Sequence, residues 1–78
     1  MDYRAVNIVR DYIIAHMEDT TESFTTYIVW KSKILQNWKY LIASSLRDGM
    51  YYELTYNGDM DEWYLDAYKK IDNLAIDD

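Results

Sequence analysis

Seventy-eight residues, half of them hydrophobic and including nine Tyr, three Trp and one Phe, exclude a disordered chain. They sit near the lower size at which one core offsets roughly 1.5 kcal/mol of entropy per ordered residue. With no Cys, disulfides, thiolate nucleophiles and cysteine-based zinc sites are excluded together.

The length predicts a single domain over residues 1–78. No apolar run approaches the roughly 20 residues of a membrane span, so no membrane association is expected. Arg4, Arg10 and Asp11 break the apolar sequence from Ala5 to Ala15, so the N-terminus reads as that of a cytoplasmic protein and not as a secretory leader.

From Tyr3 to about Asp19, Ala5, Ile8, Val9, Tyr12, Ile13 and His16 recur at three- and four-residue steps and predict an amphipathic first helix. The polar cluster Glu18 to Ser23 should end it. From Phe24 to Ile34 the period changes to two: Phe24, Thr26, Ile28, Trp30 and Ile34 form one face, and Tyr27, Val29, Lys31 and Lys33 the other. A second strand runs from Trp38 to Ser45 after a turn at Gln36-Asn37. A third, Met50 to Tyr56, follows the hairpin signal Arg47-Asp48-Gly49. Asn57-Gly58 marks a further turn, and Asp59 with Glu62 has the spacing of a capping box. A second helix is therefore expected from Asp59, with Tyr64, Ala67, Tyr68, Ile71 and Leu74 as its apolar stripe.

The expected fold is α+β: helix, three-stranded antiparallel meander, helix, with both helices packed on one sheet face. Lys31, Lys33, Lys39 and Glu53 share one strand parity, which assigns the opposite parity, including Trp30 and Trp38, to the core. Charge is uneven as well: residues 1–22 sum to −3, 23–47 to +4 and 48–78 to −7, for a net −6. A basic sheet face between acidic helices follows.

Two candidate surfaces emerge. The first is the exposed sheet face with Tyr27, Lys31, Lys33, Lys39, Leu41 and Tyr51, suited to a protein partner or to a second copy in a homodimer. The same residues could stack and follow single-stranded nucleic acid. The overall acidity disfavours that use, and strand lysines often serve only to prevent edge-to-edge aggregation. The second candidate is acidic, with Asp59, Glu62 and Asp66 on one flank of the second helix imitating phosphates toward a basic host protein. A plainer account has Asp59, Asp61 and Glu62 capping the helix while Asp66 pairs with Lys70.

No catalytic, cofactor-binding or metal-binding residue is assigned, and an enzyme is not expected. Ser23, Ser32, Ser44 and Ser45 lie in no nucleophile-elbow motif. Gly49 and Gly58, the only glycines, cannot form a phosphate loop or dinucleotide fingerprint. His16 stands alone, with Glu18 and Asp19 off its helical face, and reads as a partly buried structural residue.

The segments Tyr27-Ile-Val-Trp-Lys-Ser-Lys-Ile-Leu-Gln-Asn-Trp-Lys39, Tyr51-Tyr-Glu-Leu-Thr-Tyr-Asn-Gly-Asp59 and Tyr64-Leu-Asp-Ala-Tyr-Lys-Lys70 cover most of the chain beyond Tyr27. In them the chain resembles a family of small uncharacterised proteins encoded by bacteriophages and prophages of Gram-positive bacteria. The resemblance implies expression inside an infected or lysogenic cell. There a small acidic protein could block a host factor or defence enzyme, or serve as an accessory of phage replication. It implies no residue-level activity. Trp38, with Gln36 and Lys39 at the first hairpin, would be the anchor of a partner-binding edge.

Overall fold

The computed structural model describes residues 1–17, 23–71 and 74–77. Helix α1 (Asp2–His16) precedes strands β1 (Thr26–Ile34), β2 (Asn37–Ser44), β3 (Met50–Asn57) and β4 (Glu62–Lys69). The strands form one antiparallel sheet in the order β1-β2-β3-β4. The polar cluster expected to end the first helix falls on residues 18–23, of which 18–22 lie outside the described residues.

Ala5, Val9 and Ile13 recur every four residues and are the buried stripe of α1. They meet Tyr40 and Ile42 of β2 and Tyr52 and Leu54 of β3 in one apolar cluster. Val9, Tyr40, Ile42 and Leu54 are fully buried, and aliphatic side chains so placed contribute on the order of 1.5–3 kcal/mol each. The Thr26 hydroxyl donates to Val6 O at 3.2 Å, which ties the helix to the start of β1.

The expected second helix is a strand. Over residues 62–69 two periods coexist: Tyr64, Ala67 and Tyr68 at helical steps, and Trp63, Leu65 and Ala67 alternating with Glu62, Tyr64, Asp66 and Tyr68. The open edge of β3 selects the second, because β4 pairs with it along its whole length, from Met50↔Lys69 to Asn57↔Glu62. Trp and Tyr also suit a strand better than a helix. The apparent capping box belongs to a turn. Asn57 Oδ1 accepts from the backbone N–H of Asp59 at 3.1 Å, and Asp61 has φ +51°. Ile71 and Leu74 are exposed and outside any element. Among the described residues the sheet therefore has four strands instead of three, and one helix instead of two covers it.

The parity of β1 also departs from expectation, for a single reason. Tyr27 pairs with Ala43 and Ile28 with Ile42, but Trp30 pairs with Leu41, leaving Val29 as the extra residue of a β-bulge. Every side chain after Val29 consequently points to the face opposite that of strict alternation. Lys31 and Lys33 stand opposite Tyr40 and Trp38 on the helix side, while Trp30, Ser32 and Ile34 stand on the other.

The β1–β2 turn is made by Leu35, at φ +57°, and Gln36, one residue earlier than expected. Gly49 adopts φ +70° in the β2–β3 connection, as Arg47-Asp48-Gly49 implied, and Asp48 Oδ1 accepts from Met50 N–H at 3.0 Å. At the other end of the sheet the β3–β4 turn rests on the β1–β2 turn. Gly58 N–H donates to Asn37 Oδ1 at 3.0 Å, and a Cβ on Gly58 would overlap Gln36 O and lie 2.8 Å from Gln36 Cβ.

Deleting Val29 should leave every other side chain on its present face and the protein folded. Deleting Leu41 from the regular part of β2 should unfold it, as circular-dichroism melts would show; equal loss in both deletions would contradict the bulge. Gly58→Ala should lower stability by about 1–3 kcal/mol through overpacking against Gln36, read by urea titration.

Candidate functional site

With α1 lying over β1 and β2 on one side, the opposite side of the sheet is crossed by three complete rows of side chains. These are Tyr27, Ala43, Tyr51 and Tyr68; Trp30, Leu41, Glu53 and Asp66; and Ser32, Lys39, Thr55 and Tyr64. Ile34 and Asn37 extend the surface at the turn end. Trp30 is 44% exposed and Ile34 71%, and Tyr27, Tyr64 and Tyr68 are about half exposed. Ala43 is only 4% exposed, since its cross-strand neighbours are the much larger Tyr27 and Tyr51.

A groove of about 430 Å³ opens on this face, lined by Trp30, Ser32, Ile34, Asn37, Trp38, Lys39 and Thr55. Its walls are the apolar surfaces of Trp30 and Ile34, and the hydroxyls of Ser32 and Thr55 and the amide of Asn37 supply hydrogen-bonding groups. Lys39 Nζ is 3.2 Å from Glu53 Oε1. That pair offsets the like-charge opposition of Glu53 and Asp66 on β3 and β4. With Lys39 neutralised, and with Glu62 and Asp66 on the same face, the surface is apolar with an acidic margin.

The candidate sheet surface thus divides. Tyr27, Lys39, Leu41 and Tyr51 share the open face, whereas Lys31 and Lys33 lie on the helix side. Lys31 Nζ donates to Asp2 Oδ2 at 2.6 Å, and the Tyr40 hydroxyl donates to Asp2 Oδ1 at 2.9 Å. Lys33 Nζ lies 5.3 Å from the Trp38 ring centroid, within cation–π reach. Beyond the N-terminus of α1, Trp38 stacks near Tyr40 at 6.0 Å and Tyr56 packs on Trp63 at 4.8 Å. These rings shield the part of the sheet that the helix does not reach.

The acidic trio has no helix to share. Asp59 lies in the β3–β4 turn and accepts from Gln36 Nε2, Glu62 accepts from the Tyr64 hydroxyl, and Asp66 projects from the open face. The hydrogen bond to Glu62 holds the Tyr64 phenol above its ordinary pKa. Tyr56 is raised likewise by donating to Asp61 at 2.7 Å.

Trp30 and Ile34, assigned to the core by strict alternation, and Tyr64 and Tyr68, assigned to a helical stripe, are the surface residues the sequence did not reveal. The alternation within Glu62–Lys69 was a usable signal for the tyrosines. Nothing in the sequence marks Val29 as the extra residue. Ser32 lines the groove, whereas Ser44 and Ser45 accept backbone N–H groups of Leu46 and Thr25. His16 is exposed instead of partly buried; it stacks on Tyr12 at 4.1 Å, with Nδ1 2.8 Å from Tyr12 O. Among the described residues no three His, Cys, Asp or Glu side chains gather as a metal site, and no helix is long and apolar enough to cross a membrane.

The hydrogen bonds from Lys31 and Tyr40 hold the Asp2 carboxyl below its usual value. A lowered folded-state pKa contributes stability that is present above the unfolded value of about 3.9 and lost as pH falls through the folded one. Thermal melts at low ionic strength should therefore decline below about pH 4, and Asp2→Asn should flatten that decline while lowering stability at neutral pH. An unchanged acid limb in Asp2→Asn would remove the network from the account.

Comparison with curated proteins gives no match, and neither does comparison with solved structures. A family model matches residues 3–78, which include α1 as well as the sheet; the chain belongs to the family of unknown function DUF6275.

Proposed function

We propose that this protein is a binding module of phage or prophage origin that acts in the cytoplasm of a bacterial host by docking the open face of its sheet on a host protein, as an inhibitor of a host factor or defence enzyme. The observation that carries this reading is the open face itself. Tyr27, Trp30, Ile34, Leu41, Tyr51, Tyr64 and Tyr68 share one side of the sheet, with no described element packed over them. Contiguous apolar surface of this kind marks interaction sites in small proteins, and Trp and Tyr are enriched among the residues that carry binding energy. The resemblance to phage and prophage proteins supplies the cellular setting. The reading assigns no catalytic step, cofactor or metal.

Glu62 and Asp66 at the margin favour a partner whose rim is basic. The acidic surface thus becomes a border of the open face instead of a separate phosphate mimic. A single-stranded nucleic-acid platform is weaker on this geometry. Lys31 and Lys33 are turned away from Tyr27 and Tyr51, and Lys39 is paired with Glu53, so the stacking rings lack the lysines that would follow a phosphate backbone.

Affinity capture from host lysate should recover a defined protein with wild type and with Lys33→Glu on the helix side, and lose it with Trp30→Asp or Tyr68→Glu in variants that remain folded by circular dichroism. Capture that is indifferent to Trp30→Asp and Tyr68→Glu, or a salt-dependent shift of single-stranded oligonucleotides in place of capture, would overturn the proposal.

A further inference from the structure

Independently of the open-face reading, we infer that two copies of this chain join edge to edge through antiparallel pairing of their β4 strands, with Asp66 at the two-fold axis, converting two four-stranded sheets into one of eight.

The free backbone groups of β4 follow from the ladder. Lys70 N–H donates to Gly49 O at 2.7 Å, continuing the β3–β4 register by one hydrogen-bonded pair. Such pairs alternate in an antiparallel ladder, so Glu62, Tyr64, Asp66 and Tyr68 direct their N–H and C=O groups to β3. Those of Trp63, Leu65, Ala67 and Lys69 point away from the sheet. This edge pairs with β3 without irregularity and contains no Pro, whereas unpartnered edges are usually interrupted or blocked. The other edge is guarded: the bulge at Val29 divides β1, and Thr26 and Lys31 are bonded to α1.

Self-pairing must put open-face residues opposite open-face residues, which leaves two central registers, with Leu65 or Asp66 on the axis. Side-chain complementarity selects Asp66. In that register Glu62 of each copy faces Lys70 of the other, Tyr64 faces Tyr68, and Trp63 faces Lys69, giving paired charges, aromatic contacts and a cation–π geometry. The hydrogen-bonded pairs are then Trp63 with Lys69 and Leu65 with Ala67. The cost is Asp66 against its own copy. A single strand-to-strand seam falls in the smallest class of protein interfaces, under about 1,200 Å², so the dimer is weak and concentration-dependent.

Because the chain has no Cys, Asp66→Cys creates a unique thiol on the axis. Facing Cα atoms of a non-hydrogen-bonded antiparallel pair are about 4.5 Å apart, within disulfide range. Mild oxidation should give a covalent dimer with Asp66→Cys and much less with Leu65→Cys; the reverse preference overturns the register. In sedimentation equilibrium from low to high micromolar concentration, wild type should show a monomer–dimer equilibrium. Asp66→Asn should tighten it by up to about fivefold, as removal of facing like charges predicts. Glu62→Lys should weaken it, and Glu62→Lys with Lys70→Glu should restore it. Ala67→Pro removes an outward N–H without touching the β3 ladder, so it should abolish dimerisation in a folded chain, while Trp30→Asp should leave the dimer intact. A wild type that stays monomeric at high micromolar concentration, or a dimer unaffected by Ala67→Pro, overturns the proposal.

Discussion

Among the described residues a single helix has to close a four-stranded sheet, and most of this structure is a consequence of that mismatch. An α-helix with its side chains is about 10–12 Å across, and neighbouring strands lie about 4.8 Å apart, so one helix covers little more than two strands. Helix α1 lies over β1 and β2 and reaches Tyr52 and Leu54 of β3 through the core. What it leaves open on its own side is shielded by aromatic rings instead: Trp38, Tyr56 and Trp63 fill the space beyond its N-terminus. On the opposite side nothing described compensates, and the tyrosines, Trp30, Leu41 and Ile34 meet solvent.

The bulge at Val29 then decides which chemistry each side presents. Without the extra residue in the count, Lys31 and Lys33 would stand beside Tyr27 and Tyr51 and make that face basic. With it, Lys31 reaches Asp2 at the start of the helix, Lys33 lies over Trp38, and Trp30 takes a place on the open face. One inserted residue thus exchanges charge for aromatic surface along half of an edge strand.

These particulars mark how far the sequence could be read. The first helix, the three leading strands and the Gly49 turn were legible because each rests on a local signal: a four-residue apolar repeat, a two-residue alternation, or a residue able to adopt positive φ. The fate of residues 62–69 was not local, since helical and strand periods both fit them and the exposed edge of β3 made the choice. For the same reason Tyr64, Tyr68 and Asp66 were placed on the wrong element. Tyr27, Leu41, Tyr51 and Lys39 were placed correctly because β2 and β3 pair without interruption and the bulge lies after Tyr27.

The contact between Gly58 and Gln36 reaches further than the fit of two turns. Strands β1 and β4 are the two outer edges of the sheet and never touch, yet the turn that leaves β1 and the turn that enters β4 meet across the ends of β2 and β3. Fraying that starts at either margin must disturb this clasp before it can spread. The clasp therefore couples the two hairpins at the turn end, so the amides on both margins there should exchange with a common opening free energy.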